Sequence, residues 1–215
     1  MSFATMLSKM SEGMLRAGGI FFLTLIFSLP LSVLVSLGRM SKNKVVKNIF
    51  RVYISIMRGT PLMLQLIAVY FGPYYLFGIN ISGYRFFAVI IGFTINYAAY
   101  FAEIFRSGVE SMPVGQYEAA NVLGYTKVQT FMRIILPQVI KRILPSVTNE
   151  VVTLVKDTSL AFTLAYQEVF SIAKQIAASQ TSFLPFVIAG VFYYICNALV
   201  AFLMESLENK LRYYR

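Results

Sequence analysis

The sequence predicts an all-α, polytopic membrane protein, and its composition supports this in two ways. Of its 215 residues, 58% are hydrophobic and only 13% are charged, whereas a typical soluble domain is about 45–50% apolar and about 25% charged. The apolar residues also form runs long enough to cross a bilayer as helices. The chain has no histidine and one cysteine, which excludes histidine-based catalysis, histidine zinc sites and a disulfide framework.

Five membrane spans are predicted within a single domain that covers residues 1–215. Four stretches have the roughly 20 mostly apolar residues that a spanning helix needs, namely 19–38, 61–79, 86–105 and 183–204. A fifth stretch, 148–169, has the right length but contains four charged residues: Glu150, Lys156, Asp157 and Glu168. It is counted as a span because four spans would leave about 75 residues of mixed apolar loop, an uncommon connection.

The basic residues predict the orientation, since short cytoplasmic loops are enriched in lysine and arginine. With five spans, 14 of the 19 basic residues fall on one side, in the loops after the first and third spans and in the C-terminal tail. The N-terminus is therefore expected outside and the C-terminus in the cytoplasm. This clustering accounts for the net charge of +10, so no nucleic acid partner is needed to explain it.

The region 106–147 is predicted to lie in the cytoplasm and to contain two short helices. Residues 116–123 and 127–135 are alanine-rich or apolar-periodic, Gly124 separates them, and the second helix is expected to end near Pro137. Glycine allows the positive φ that such a turn between helices needs. We refer to residues 116–135 as the elbow. A helical hairpin that lies on the membrane surface would fit the same pattern.

The elbow and the residues after it resemble the EAA signature of bacterial ABC importer permease subunits. The matching residues are Glu118, Ala119, Ala120, Gly124, Ile134, Leu136 and Pro137, and no position of the pattern is violated. Three further blocks, at 58–65, 96–103 and 154–161, resemble the polar amino acid uptake branch of that family. Together these similarities run from about Phe50 to about Phe170.

The resemblance implies the fold of a type I ABC importer and the role of a permease subunit in a bacterial inner or plasma membrane. The elbow would then be a coupling helix in a groove of a cytoplasmic ATPase subunit. Glu118 would meet a basic group there, while Ala119, Ala120 and Gly124 would allow close packing. The other implied partners are a second permease chain, identical or not, and an extracellular or periplasmic binding protein that delivers a polar amino acid.

The sequence lacks the GxxxxGK[ST] loop that cradles phosphates. ATP and magnesium would therefore be bound by the partner ATPase dimer, and energy would reach this chain from there. We expect the chain itself to be a transport subunit rather than an enzyme, with no cofactor, metal site or catalytic residue of its own.

Polar residues deep within the predicted spans form the candidate substrate site, because an ionisable group in a span is costly. At about 1.5 Å per residue, Lys156, Asp157 and Asn96 fall near the middle of a hydrocarbon core about 30 Å thick. An amino acid carries a carboxylate that Lys156 can pair and an ammonium that Asp157 and Glu103 can attract. The candidates for neutral hydrogen bonds are Asn96, Thr158 and Ser159.

Several alternatives remain open for these residues. Lys156 and Asp157 could pair with each other or across a dimer and only hold helices together. Glu103 lies nearer the cytoplasmic end and could be a packing or gating carboxylate. The same charges could instead form the proton or ion path of a secondary transporter or channel. Glu150 and Glu168 stand at span ends and are interpreted as interfacial.

Overall fold

A computed structural model of the chain describes residues 2–211. Within that range the helices are α1 (Phe3–Arg39), α2 (Lys44–Gly59), α3 (Leu62–Phe77), α4 (Arg85–Glu110), α5 (Val114–Val122), α6 (Lys127–Thr130), α7 (Leu136–Asp157), α8 (Val169–Gln180) and α9 (Leu184–Leu211). A π-helical turn, Phe131–Ile135, joins α6 to α7, and a 3-10 helix, Thr158–Leu164, follows α7. These residues include no strand, so the all-α prediction is confirmed.

Helix α4 lies at the centre of the fold, and its small and aromatic residues are buried along most of its length. Helices α1, α3 and α7 surround it and form the main hydrophobic core with it. Large buried side chains in this core include Ile20, Leu66, Phe93, Phe101 and Leu154. Gly92 allows α3 to approach α4, because a Cβ at this position would lie 2.7 Å from Leu66 Cδ2.

Three helices of the described range are long and apolar enough to cross a membrane: α1, α4 and α9. Helices α2 and α3 meet the same criterion only as a pair, which gives up to four candidates. Helix α7 is not among them, because polar residues interrupt its apolar surface. The count of five spans therefore stays a prediction.

The stretch 148–169, expected to be one helix, is divided in the structure. Helix α7 ends at Asp157, and the chain continues as a 3-10 helix as far as Leu164. Ala165 then takes a left-handed conformation with φ of 52°, which stops any regular right-handed helix. The backbone direction thus changes within the segment that was expected to span the membrane without interruption.

Glu168, interpreted from the sequence as an interfacial residue at the end of a span, is fully buried within the protein. Its carboxylate accepts hydrogen bonds from the backbone N–H groups of Phe170, at 2.7 Å, and Ser171, at 2.6 Å. It also accepts one from the Tyr193 hydroxyl at 2.9 Å. These bonds cap the N-terminus of α8 and fasten it to α9, and they offset the cost of burying the carboxylate.

A sharp bend of 112° separates α2 from α3, and two amide side chains hold it. Gln65 Nε2 donates to the carbonyl oxygens of Met57 and Thr60 at 2.9 and 3.1 Å. Asn96 Nδ2 on α4 donates to Met57 O at 3.2 Å and to Gln65 Oε1 at 2.8 Å. These bonds satisfy carbonyls that the end of α2 leaves without helical partners. We term Gln65 and Asn96 with these carbonyls the bend clamp.

Removing one amide of the bend clamp should destabilise the protein, because a buried group that loses its partner costs about 1–3 kcal/mol. We expect this loss for both Asn96→Ala and Gln65→Ala. The double variant should cost about 1 kcal/mol less than the sum, because both single changes remove the bond between the two side chains. Unfolding of the purified protein in detergent measures these free energies. Gln116→Ala, which removes an exposed amide hydrogen bond, is the control, and strictly additive losses would contradict the clamp.

Candidate functional site

The charged candidates lie at the end of α7, next to the central helix. Asp157 is the last residue of α7, and the Tyr97 hydroxyl of α4 donates to Asp157 Oδ2 at 2.7 Å. Tyr97 itself is only 2% exposed. The end of α7 is therefore tied to the helix at the centre of the fold. Sequence reasoning missed Tyr97, although it lies directly after Asn96 in one of the blocks that carried the resemblance.

Lys156 and Asp157 do not pair with each other within the chain. Adjacent residues on a helix point in different directions, and Lys156 is exposed while Asp157 is half-buried. In residues 2–211, the ion pairs join Arg106 to Glu103 and to Glu110. The Lys156 ammonium thus remains available to an anionic group from outside the chain.

The hydroxyl groups of Thr158 and Ser159 are used by the backbone. Thr158 Oγ1 donates to the carbonyl of Val155, and Ser159 Oγ donates to that of Lys156, each at 2.8 Å. A hydroxyl has one hydrogen and two lone pairs, so Ser159 Oγ can still accept a hydrogen bond. Thr158 is only 1% exposed, so its oxygen is out of reach of a ligand from outside the chain. Together with the Asp157 carboxylate, this arrangement suits an ammonium better than a carboxylate.

A cavity of about 320 Å³ opens between the end of α2, the C-terminal half of α4 and α7. Its charged lining residues comprise two cations and two carboxylates: Arg58, Arg142, Glu103 and Glu150. Three serines add hydroxyl groups, and Tyr100 contributes an aromatic wall. The cavity therefore offers both charge signs within one space, which a zwitterion requires.

The two carboxylates of this cavity differ in their partners. Glu103 is paired with Arg106, whose Nε donates to Glu103 Oε2 at 3.0 Å. No other residue of the described range forms an ion pair with Glu150. Glu150 belongs to the cavity lining, and it is the carboxylate with greater capacity to bind a cationic group.

A continuous row of side chains connects the end of α7 to the cavity. Asp157 binds the Tyr97 hydroxyl, and the rings of Tyr97 and Tyr100 lie 6.3 Å apart between centroids. The guanidinium carbon of Arg58 lies 5.4 Å from the centre of the Tyr100 ring, a distance at which a cation and an aromatic ring attract each other. Asn96 does not belong to this row. Both of its amide hydrogens are used in the bend clamp.

The elbow turns at Gly124, where φ is +78°. The Gly124 N–H donates to Asn121 O, and the Tyr125 N–H donates to Ala120 O, both at 3.0 Å. This pair of bonds is the Schellman arrangement, in which a left-handed residue ends a helix and satisfies its last carbonyls. Open space surrounds the position of a Cβ at Gly124, so glycine is needed for its backbone conformation and not for close packing within the chain.

The second helix of the elbow continues through Pro137, contrary to the prediction. Thr126 and Gln129 form a capping box that starts α6. After the π-helical turn Phe131–Ile135, α7 begins at Leu136 and places Pro137 in its first turn, where a missing N–H costs little. The second helix of the elbow and α7 therefore form one uninterrupted helical path from Lys127 to Asp157.

A pair of hydrogen bonds fixes α5 to α7. The side-chain amides of Gln116 and Gln138 donate to each other at 2.9 and 3.0 Å. In addition, Arg142 Nη1 donates at 2.8 Å to the carbonyl of Ser111, the C-cap residue of α4, and so fixes α7 to the end of α4. A displacement of α5 would therefore be passed to α7 and along it to Asp157.

The residues of the EAA pattern differ in exposure. The exposed members are Glu118, Ala119, Gly124 and Pro137, whereas Ile134 and Leu136 are partly buried. Ala120 is 1% exposed, so it packs inside the chain. From the sequence, its small side chain was expected to allow close packing against a partner. Large apolar side chains beside the pattern point outward: Val114, Val122, Leu123 and Val128. An exposed apolar surface of this kind marks an interaction site.

Comparisons with known proteins agree with this arrangement. Residues 28–213 match the family described as "Binding-protein-dependent transport system inner membrane component". The chain is 37% identical over 191 residues to a putative glutamine transport system permease protein GlnP of Rickettsia bellii (strain RML369-C), covering 88% of this chain and 86% of the relative. It is 35% identical over 202 residues to the arginine transport system permease protein ArtQ of Bacillus subtilis (strain 168), covering 94% and 91%.

A solved structure, described as "Crystal structure of an amino acid ABC transporter with histidines", superposes with a TM-score of 0.87 at 29% identity, covering 98% of this chain and 99% of that one. The resemblance drawn from the EAA pattern is therefore confirmed at the level of the family. The chain belongs to the inner membrane components of binding-protein-dependent transport systems.

Proposed function

We propose that this chain is the membrane-spanning permease subunit of an ATP-driven ABC importer that carries a polar amino acid. The observation that supports this most is the single helical path from the elbow through α7 to Asp157. A surface suited to a partner lies at one end of that path, and charged groups suited to a zwitterion lie at the other. The relatives named for glutamine and arginine transport support an amino acid as the substrate class.

The substrate would be recognised by charge at the end of α7. Lys156 would pair the carboxylate of the amino acid, and Asp157 would attract its ammonium. The free lone pairs of Ser159 would add an acceptor for the ammonium hydrogens, while the buried Thr158 would hold the end of α7 through its bond to the carbonyl of Val155. Asn96 would act through the bend clamp as a positioning residue, because its donors are already used.

The cavity next to Tyr100 would continue the route of the substrate from Asp157 toward the elbow. Arg58 and Glu150 can receive the two charged ends of the amino acid after it leaves Asp157. Glu103, which is paired with Arg106, would adjust the net charge of this cavity. The same chemistry would serve glutamine, arginine or another polar amino acid, since these groups bind the part that all amino acids share.

The elbow would dock on a cytoplasmic ATPase subunit, one of a dimer that binds ATP and magnesium. Glu118 would pair with a basic group of that subunit, and the exposed apolar residues of the elbow would fill its groove. This arrangement requires the elbow in the cytoplasm, and thus the N-terminus outside and the C-terminus inside. The large share of basic residues on the elbow side fits that orientation.

Transport would proceed by alternating access in a pair of permease chains. Three or four helices that can cross the membrane are few to enclose a polar path, so a second copy or a homologous chain would complete it. Closure of the ATPase dimer would move the elbows, and α7 would pass that movement to Asp157. A binding protein on the outer side would supply the amino acid.

Asp157→Asn and Lys156→Gln should each lower ATP-driven uptake by about tenfold or more, because a hydrogen bond to a charged group contributes about 1.5–3 kcal/mol. Both changes nearly preserve side-chain shape, and the carbonyl oxygen of the introduced asparagine can still accept from Tyr97, so folding should be retained. Uptake of labelled amino acids into proteoliposomes that contain the permease, its ATPase and the binding protein measures the effect.

The matched controls for these two changes are Glu12→Gln and Lys174→Gln, at exposed charges on α1 and α8. They should leave uptake unchanged. Basal ATP hydrolysis should persist in all four variants. If Asp157→Asn and Lys156→Gln transported at the original rate, the substrate assignment would be wrong. If uptake continued without the ATPase, an ion-coupled transporter that uses the same charges would be favoured.

Gly124→Val should uncouple the elbow, because a β-branched residue is strongly disfavoured at φ of +78°. We expect ATP-driven uptake to fall severalfold while the protein still inserts and folds, since no atom crowds that position. Gly124→Asn is the matched control, because asparagine tolerates the left-handed region. Uptake and co-purification of the ATPase subunit report the outcome, and full activity of the valine variant would refute the coupling role.

A further inference from the structure

Helix α2 has three distinct faces. One packs on α1 and α4 through Phe50, Tyr53, Ile54 and Met57. A second face is apolar, and its side chains are between 50% and 67% exposed: Val45, Ile49, Val52 and Ile56. The third is basic and also exposed: Lys44, Lys47 and Arg51. The residues of each face recur at helical spacing, so the apolar and basic faces run side by side along the helix.

The orientation of α2 differs from that of a spanning helix. The bend of 112° after Gly59 turns α2 far out of line with α3. Its other end follows Arg39, where α1 finishes, and Phe50 packs against Gly38 near that end. The first turns of α2, which carry the basic face, therefore lie at the end of a spanning helix, which is the level of the membrane–water interface. Its last turns run inward, because Tyr53 and Met57 are hydrogen-bonded to Ile95 and Asn96 in the middle of α4.

The basic face of α2 has no counter-charge in the described part of the chain. The side chains of Lys44, Lys47 and Arg51 form no ion pair with residues 2–211, and the sequence between residues 39 and 58 contains no acidic residue. Lys44 and Lys47 also stand in the first turn of the helix, where the helix dipole disfavours positive charge. Anions from outside the chain would relieve both effects.

We propose that the first half of α2 lies at the membrane interface and binds the headgroups of anionic phospholipids through Lys44, Lys47 and Arg51, with the exposed apolar face of the helix among the acyl chains. An amphipathic helix whose polar face is rich in lysine and arginine has the character of such membrane-surface elements. Charge complementarity selects anionic lipid over neutral lipid, and the adjacent apolar and basic faces match the adjacent acyl and headgroup layers. Transport of an amino acid does not itself require this binding.

The lipid preference is tested with the full permease chain in vesicles of equal phosphatidylglycerol and phosphatidylcholine content. Native mass spectrometry after detergent extraction counts the lipids that remain bound. We expect selective retention of phosphatidylglycerol, and a loss of at least about fivefold in Lys47→Gln/Arg51→Gln, since each basic side chain near an anionic surface contributes about that factor. High salt should reduce retention.

Lys9→Gln/Lys174→Gln is the matched control, because it removes two exposed basic charges from other helices. It should retain phosphatidylglycerol as the unmodified protein does. Equal retention in the Lys47→Gln/Arg51→Gln variant would overturn the proposal, as would equal retention of the neutral and anionic lipids by the unmodified protein.

The depth of the apolar face provides a second measurement. A spin label at Ile49→Cys, in a Cys196→Ala background, should be accessible to oxygen and protected from a water-soluble nickel chelate in the same vesicles. A label at Val122→Cys, which is 86% exposed on the elbow, should show the reverse. Accessibility of position 49 to the chelate would overturn the proposal, and disulfide cross-linking at this position between two permease chains would assign the face to a second copy instead.

Discussion

The candidate site depends on the way in which α7 ends inside the protein. A helix leaves its last carbonyl groups without partners, and in an apolar environment each of them must be satisfied. Here the hydroxyls of Thr158 and Ser159 bind two of these carbonyls, and a 3-10 helix continues the chain. The Tyr97 hydroxyl meets the Asp157 carboxylate at the same point. A cluster of polar groups thus arises in an apolar region because the helix stops there.

The same requirement explains why polar residues in spans do not all serve the substrate. Gln65 and Asn96 use their amides to satisfy carbonyls where α2 ends and α3 begins. The rule that a polar residue in a span marks a functional site selected Asn96 as a substrate ligand, whereas both of its amide hydrogens are used in the bend clamp. Lys156 and Glu150 differ, because no ion pair within residues 2–211 neutralises either one. Their charges remain available for a ligand.

The sequence was sufficient to predict structural features that depend on residues close together along the chain. Composition predicted an all-helical chain, and the left-handed turn at Gly124 followed from the need for positive φ. It was insufficient where the partner lies far along the chain. The bond from Tyr97 to Asp157 joins residues 60 positions apart. Glu168 can be buried because Tyr193 and the backbone at the start of α8 donate hydrogen bonds to its carboxylate. The interruption after Asp157 could not be read from the sequence, because no glycine or proline stands between Thr148 and Val169 to mark the end of a helix.

Close packing between α4 and α7 determines how a movement of the elbow can reach the site. A Cβ at Gly108 would lie 2.2 Å from Ile143 Cγ2, so the side chain of Ile143 packs directly on the backbone of α4 near the elbow end of α7. At about 1.5 Å per residue, Asp157 lies about 21 Å beyond Ile143 along the helix axis. In the proposed mechanism, a tilt about this contact would be small at Ile143 and largest at Asp157. The hydrogen bond from Tyr97 would then stretch before the core packing does, which makes the candidate site the part of the structure most sensitive to the elbow.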